Sequence, residues 1–218
     1  MLDTLEQARE NERRFVADAS HELRTPLTAL RGNVEHLARH GASAELVADL
    51  QADAERLARL AGDLLALSRE DSAAPLDTEV ALDELARASA ADDVVAERVF
   101  VRGDREALAR SLGNLVENAR RHGQGRVALR VRAIDSRVVV EVEDEGPGVP
   151  DEEQERVFER FQGRGSGLGL AIVRATAERH GGRAYVRGAR FTIELPALTK
   201  ASESLGIPSR EAPEKGSP

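Results

Sequence analysis

Four groups of residues in this 218-residue chain combine types and spacings that chemistry needs. The first is His21-Glu22-Leu23-Arg24-Thr25, inside the stretch Phe15 to Leu30. Imidazole is a good nucleophile near neutral pH when a neighbour takes its proton, and Glu22 stands next to it. Thr25 lies four residues on, which places it on the same helix face as His21. A zinc-protease HExxH is ruled out because Thr25 holds the second histidine's place. A Ser-His-Asp reading of Asp18, Ser20 and His21 fails because triads are assembled across a fold, not along one helix. Taken alone, the pentapeptide fits a solvated surface histidine equally well. The second group is Asn114 and Asn118, again four apart. Two amides on an otherwise apolar helix cost desolvation unless they bond something. They serve either as helix-to-loop hydrogen bonds or as a hard oxygen donor for Mg²⁺ carried on phosphates. The third is Asp144-Glu145-Gly146-Pro147-Gly148 after a strand-like run. This is either an ordinary glycine turn or a fixed carboxylate that accepts from an exocyclic amine. The fourth is the glycine cluster Gly163, Gly165, Gly167 and Gly169 before a helix. Its N–H groups form a phosphate cradle or simply a flexible lid.

The elements that must position these groups follow from periodicity. Residues 1–14 are polar and helix-favouring, a helical lead-in. A first helix runs to about Arg39, with Val16, Leu23, Leu27, Leu30, Val34 and Leu37 as a heptad seam and Ser20 filling the gap. His21 and Thr25 then point away from the seam. Pro26 should kink this helix beside His21, because it leaves the carbonyl of Glu22 without its partner. Gly41 reads as a C-cap and Ser43 as the next N-cap. A second helix, Ala44 to about Arg69, repeats the seam at Leu46, Leu50, Leu57, Leu60, Leu64 and Leu67. Asp53 occupies the missing core slot, with no reason visible in the sequence. A short turn between two helices makes an antiparallel hairpin. One hairpin cannot bury two apolar seams, so a homodimer through residues 15–70, forming a four-helix bundle, is expected.

Asp71 to Thr78 reads as a linker, after which the period changes. Helices are expected over Leu82 to Ala90, from an Asp104 cap to about Arg121, at Asp151 to Phe161 and over Leu168 to His180. Strands are expected at Arg98 to Arg102, Arg126 to Ile134, Arg137 to Glu143, Arg183 to Val186 and Arg190 to Leu195. The fold class is therefore α+β: a helical hairpin, then an α/β layer sandwich at residues 79–197. Residues 198–218 are poor in apolar side chains, and a disordered tail is expected.

Composition narrows the function classes. A net charge of −8 argues against a nucleic-acid partner. Zero cysteines exclude disulfides, thiol catalysis and Cys-type zinc sites. No apolar run approaches the roughly 18 residues of a membrane span, so no membrane contact by this chain itself is expected.

Order and spacing together bring a family into view. The chain resembles the cytoplasmic core of a two-component sensor histidine kinase over about residues 10 to 196. Phe15 to Leu30 resembles the histidine box, and Ser111 to Ala119 (SLGNLVENA) the N box. Asp144 to Gly148 resembles the first glycine box, Arg156 to Phe161 the phenylalanine box, and Gly165 to Val173 (GSGLGLAIV) the second glycine box. The resemblance implies an ATP-binding domain of the histidine kinase, gyrase and chaperone type. It further implies that His21 accepts the γ-phosphoryl group of ATP, that Glu22 assists proton removal, and that Thr25 positions a water for dephosphorylating a partner. Asn118 would ligate Mg²⁺, with Asn114 supporting the phosphates and Asp144 recognising the adenine amine. Gly146, Gly148, Gly167 and Gly169 would shape the pocket, with Arg121, His122 and Leu168 beside the nucleotide.

The expected partner is a response-regulator receiver domain whose aspartate takes the phosphoryl group. The expected location is cytoplasmic, either as part of a membrane-bound sensor or as a member lacking one. Two rival functions stay open: a degenerate kinase acting as a dimeric phosphatase or scaffold, and an ATPase switch of the chaperone or gyrase class. The second needs a glutamate base where this chain has Asn114. Three departures stand out: only Gln162, Gly163 and Arg164 separate Phe161 from Gly165, where the family has a longer ATP lid; His122 replaces a frequent tyrosine; and the last glycine box is reduced to Gly188-Ala189-Arg190-Phe191.

Overall fold

The computed structural model describes residues 2–70, 76–162 and 167–198, with side chains from residue 16 onward. The lid residues Gly163 and Arg164 with Gly165, most of the linker (71–75) and nearly all of the tail (199–218) lie outside the described residues.

Two long helices come first, α1 (Leu2–His40) and α2 (Ala44–Glu70). The turn between them is built as the sequence indicates. Gly41 takes φ +84, its N–H donates to the carbonyl of Leu37 at 2.9 Å, and Ser43 Oγ accepts from the N–H of Leu46 at 3.1 Å. α1 runs through Pro26 as one helical segment. Each helix of the hairpin turns an alternating four-three stripe toward the other. On α2 the inward positions are the expected ones, from Leu46 to Leu67.

On α1 the inward stripe differs from the expected seam. Ala19 and Pro26 are buried, and Leu23, Leu30, Asn33 and Leu37 are half-buried. Val16, Leu27 and Val34 instead stay 58%, 58% and 50% exposed. The heptad seam is thus split, one side on α2 and the other open, because a helix in a bundle has an apolar arc wider than one partner can cover. Asp53 also finds its reason here: Asn33 Nδ2 donates to Asp53 Oδ2 at 3.2 Å across the hairpin. The polar residue sits in a core slot because a polar partner faces it.

The second unit contains β1 (Glu79–Ala81), α3 (Leu82–Arg87), β2 (Asp93–Ala96), β3 (Phe100–Arg102), α4 (Arg105–His122), β4 (Ala128–Ile134), β5 (Arg137–Glu143), α5 (Gly169–Arg179), β6 (Arg183–Arg187) and β7 (Arg190–Pro196). β1 and β3 form a small antiparallel pair, and the main sheet has the order β2-β4-β5-β7-β6. Only β2 and β4 pair in parallel, so the sheet is mixed as expected. β1 and β2 are additional to the expected strands. α3 is shorter than expected, and residues 151–161 form two short 3₁₀ turns, Asp151–Glu153 and Arg156–Phe158, rather than one helix.

Inward residues of the sheet and of α3, α4 and α5 make one core, including Leu82, Leu112, Leu115, Leu129, Val140, Val173 and Ile193. The opposite sheet face is a lattice of ion pairs, among them Arg130–Glu143 at 2.9 Å, Arg132–Glu141 at 3.1 Å and Arg190–Glu143 at 3.0 Å. The Arg190 hydrogen bond holds the Glu143 carboxyl below its usual range. α4 starts as expected, with Asp104 Oδ1 accepting from the N–H groups of Glu106 and Ala107 at 2.9 and 3.1 Å.

The two units meet along α2 and α5. Leu60, Ala66 and Leu67 pack with Leu168 and Ile172, with Leu23, Leu64, Phe161 and Ala175 alongside. Polar contacts frame this patch. Arg110 donates to the carbonyl of Gly62 at 3.2 Å. The Glu70 side chain, 4% exposed, accepts from Thr176 Oγ1 at 2.8 Å and from Arg179 Nη1 at 3.3 Å. Next to them His180 is buried. The N–H of Asp104 donates to its Nε2 at 3.0 Å, so its Nδ1 carries the proton and meets the carbonyl of Thr176 at 2.7 Å. Burial pushes the His180 pKa down, against the raising effects of the Thr176 carbonyl, Glu70 and Asp104.

Candidate functional site

A cleft of about 350 Å³ opens where α4, α5 and α2 converge. Its floor and walls include Asn114, Glu117, Asn118, Arg121 and His122 of α4, with Gly167, Gly169 and Leu170 at the start of α5. Asn114 and Asn118 share one face of α4 because they are a helical turn apart. Asn114 Nδ2 donates to the carbonyl of Gly169 at 3.1 Å. This amide therefore ties α4 to the start of α5 and keeps its oxygen for another partner. Arg121 is held at 2.6 Å by Glu117, its i−4 neighbour.

The N-cap residue of α5 is Leu168, and among the described residues no side chain caps this helix start. The first N–H groups of a helix have no intrahelical acceptor, and the helix dipole adds partial positive charge there. A helix start beside Gly167 with no side-chain cap among the described residues is a fitting place for an anion. The donor set also bears on a metal. Among the described residues no cluster of three His, Cys, Asp or Glu side chains could hold one. An amide oxygen beside an anion site fits a hard cation that arrives with phosphates, and Mg²⁺ keeps few protein ligands in such sites.

Asp144 lies at the end of β5, outside the lining of this cleft. Its Oδ1 accepts from the N–H of Gly146 at 2.7 Å and of Gln124 at 3.3 Å. A Cβ on Gly123 would come within 2.2 Å of the Asp144 carboxyl, so only glycine lets α4 end this close to it. Gly148 has φ +74, and a Cβ there would strike the carbonyl carbon of Gly188 at 2.2 Å. The N–H of Val149 donates to the Gly188 carbonyl at 2.8 Å. Gly148 thus anchors the first glycine segment against the reduced last one. Leu168 is fully buried in the patch shared with α2 and does not line the cleft.

His21 and Thr25 are exposed on α1, and Glu22 is half-buried. None of the three lines the cleft. Leu23, between them, touches the patch that carries Leu168. The structure therefore brings Asn114, Asn118, Arg121, His122, Gly167 and Gly169 together, places Asp144 and Gly146 against Gly123 and Gln124 just past His122, and leaves the histidine segment on its own helix. Val157 and Gln162 also line the cleft, and so do Arg56, Arg59 and Asp63 of α2, which were missed from the sequence. The signal for them was a second stripe beside the leucine seam, at positions 56, 59, 63, 66 and 70.

Two family models match the chain. "His Kinase A (phospho-acceptor) domain" matches residues 11–73, and "Histidine kinase-, DNA gyrase B-, and HSP90-like ATPase" matches residues 103–199. The signal transduction histidine-protein kinase/phosphatase MprB of Mycolicibacterium smegmatis is 38% identical over 99% of this chain and 49% of its own length. The chain thus spans about half the length of the curated relatives it matches. A solved mycobacterial sensor histidine kinase MprB structure is 31% identical, with TM-score 0.51, over 56% of this chain and 97% of that one. The histidine kinase ThkA, solved in complex with the response regulator protein TrrA, is 26% identical with TM-score 0.68, covering 88% of this chain and 66% of that one. With both domains present in that order, the chain belongs to the two-component sensor histidine kinases and forms their catalytic core.

Proposed function

We propose that this chain is an ATP-dependent protein-histidine kinase that phosphorylates His21 and passes the phosphoryl group to an aspartate of a response regulator. The observation that carries the reading is the cleft: a paired-amide face on α4 against the glycine-flanked start of α5, in the same chain as an exposed histidine followed by a carboxylate. The N–H groups at the start of α5 hold the phosphates, with Asn114 pinning that turn. Asn118 offers its amide oxygen to Mg²⁺, which when bound neutralises phosphate charge. Asp144 Oδ2 accepts from the adenine amine while Oδ1 stays on the backbone.

In the transfer step the lone pair of an imidazole nitrogen of His21 attacks the γ-phosphorus. The bond to the β–γ bridging oxygen breaks, ADP leaves, and the proton on the other ring nitrogen passes to Glu22. Such a step needs positioning and charge neutralisation more than covalent help. His21 does not line the cleft, so transfer to it requires the ATP-binding domain to move off α2. The exposed apolar row Val16, Leu27 and Val34 supports a homodimer through the hairpin. Exposed Thr25, one turn from His21, supports a phosphatase activity on the partner, as in the kinase/phosphatase name of the relative. The site of action is the cytoplasm. Among the described residues no helix is long and apolar enough to cross a membrane.

The test is incubation with γ-labelled ATP and Mg²⁺. The expected result is a protein-bound label that is acid-labile and base-stable, absent in His21→Gln. Equal labelling of His21→Gln, or steady ATP turnover with no label, overturns the kinase reading.

A further inference from the structure

Arg56, Arg59 and Asp63 come from the hairpin, yet they form part of the wall of the cleft that α4 and α5 build. Their placement follows from helix geometry. Positions 56, 59, 63, 66 and 70 fall on one face of α2, beside the leucine seam and not on it. The lower part of that face packs against the ATP-binding domain together with Leu60 and Leu67 of the seam, through buried Ala66 and the Glu70 carboxylate on Thr176 and Arg179. Docking of the lower part brings the upper part, one to three turns away, to the mouth of the cleft. There it meets Asn118, Gly167 and Gly169.

At that mouth Glu117 is engaged with Arg121 at 2.6 Å, and Asp63 adds a carboxylate to the same wall as Arg56 and Arg59. The Arg59 guanidinium lies 3.7 Å from Glu55, one turn back on its own helix. Both Arg56 and Arg59 are exposed. Long guanidinium side chains at the open side of an anion site favour phosphate oxygens in bidentate geometry.

We propose that Arg56 and Arg59 are positioning residues for the β- and γ-phosphates of the nucleotide, supplied by the phospho-acceptor hairpin to the ATP site of the same chain. This rests on the kinase reading above and extends it. The consequence is thermodynamic coupling: a nucleotide held by both units favours the docked arrangement, by as much as its affinity for the docked state exceeds that for the undocked one. Because His21 lies outside the cleft when the domains are docked, these two arginines hold ATP in a waiting state, and their removal weakens ATP binding without slowing transfer.

The test uses the full chain and compares wild type with Arg56→Ala/Arg59→Ala for binding of Mg²⁺-ATP and of AMP by calorimetry, and for autophosphorylation kinetics. An Arg31→Ala/Arg39→Ala variant on the far part of the hairpin controls for lost positive charge. The expected result is an ATP Kd and KM raised about tenfold, AMP affinity unchanged, kcat undiminished, and partial recovery in Arg56→Lys/Arg59→Lys. Unchanged ATP affinity, an equal loss for AMP and ATP, or an equal effect of the control variant overturns the proposal while the kinase reading stands. Failure of the wild-type protein to bind ATP at all overturns both.

Discussion

In the layer sandwich Leu82, Leu129, Val140, Val142 and Val173 all reach 0% exposure, whereas in the hairpin Val16 and Leu27 remain 58% exposed. The sandwich closes its core with its own sheet and three helices. The hairpin is only two helices deep, so each helix buries one side of its apolar arc and leaves the other open. Completing that arc requires a second surface, and on α2 two different surfaces already compete for it. The upper seam faces α1, while its lower end at Leu60, Leu64 and Leu67 also packs on Leu168 and Ile172, beside the adjacent stripe. The sandwich closes its main core by itself and lends the hairpin only the Leu168–Ile172 patch, whereas the hairpin is a set of interfaces.

The exposed row on α1 is the hairpin's most vulnerable surface. Leu27→Glu/Val34→Glu places charges where we expect a second copy, and burying an unpaired charge is costly. Sedimentation equilibrium should show the dimer dissociation constant rising more than about a hundredfold, roughly 3 kcal/mol or more. A dimer that persists unchanged would mean that this row is not an interface. Next in size, Leu115→Ala, fully inside the sandwich, should cost about 3 kcal/mol in urea unfolding and leave dimerisation alone.

A smaller effect is expected between the units. Glu70→Ala removes the 4%-exposed carboxylate that Arg179, itself 12% exposed, meets at 3.3 Å. A loss of about 2 kcal/mol is expected, together with faster amide exchange in α5; unaltered exchange would place the loss within the hairpin alone. The smallest effect is on pH. Neutral His180 is the favoured folded form, because its pKa is lowered mainly by burial. Its contribution is complete above the unfolded histidine pKa of about 6.5 and is lost as pH falls through the lower folded value. The Tm of wild type should therefore drop below that pH more than that of His180→Gln, and parallel profiles would remove His180 from the account.

Much of this was legible because it is local. The caps at Gly41, Ser43 and Asp104 depend on neighbours within four residues, and so do the stripes on both long helices. The hairpin β4–β5 was readable from its alternating β-branched residues and the Asp135-Ser136 turn, where Asp135 takes φ 53. β1 and β2 were not readable. They are three and four residues long, and only distant partners, Phe100–Arg102 and the start of β4, stabilise them as strands. The 3₁₀ turns near Phe158 read as a helix because both share a short helical period.

The site divides along the same line. By itself the sequence determined the residue types: a histidine beside a carboxylate, two amides a turn apart, a carboxylate among glycines, and the family to which their order belongs. Only the tertiary structure decided which surface each one faces. It turned half of the α1 seam outward, set Asn33 against Asp53, kept His21 out of the cleft, and carried Arg56 and Arg59 into it. The physical reason is that helix periodicity specifies which residues share a face, while the choice among competing faces is made by the packing of elements remote in the chain.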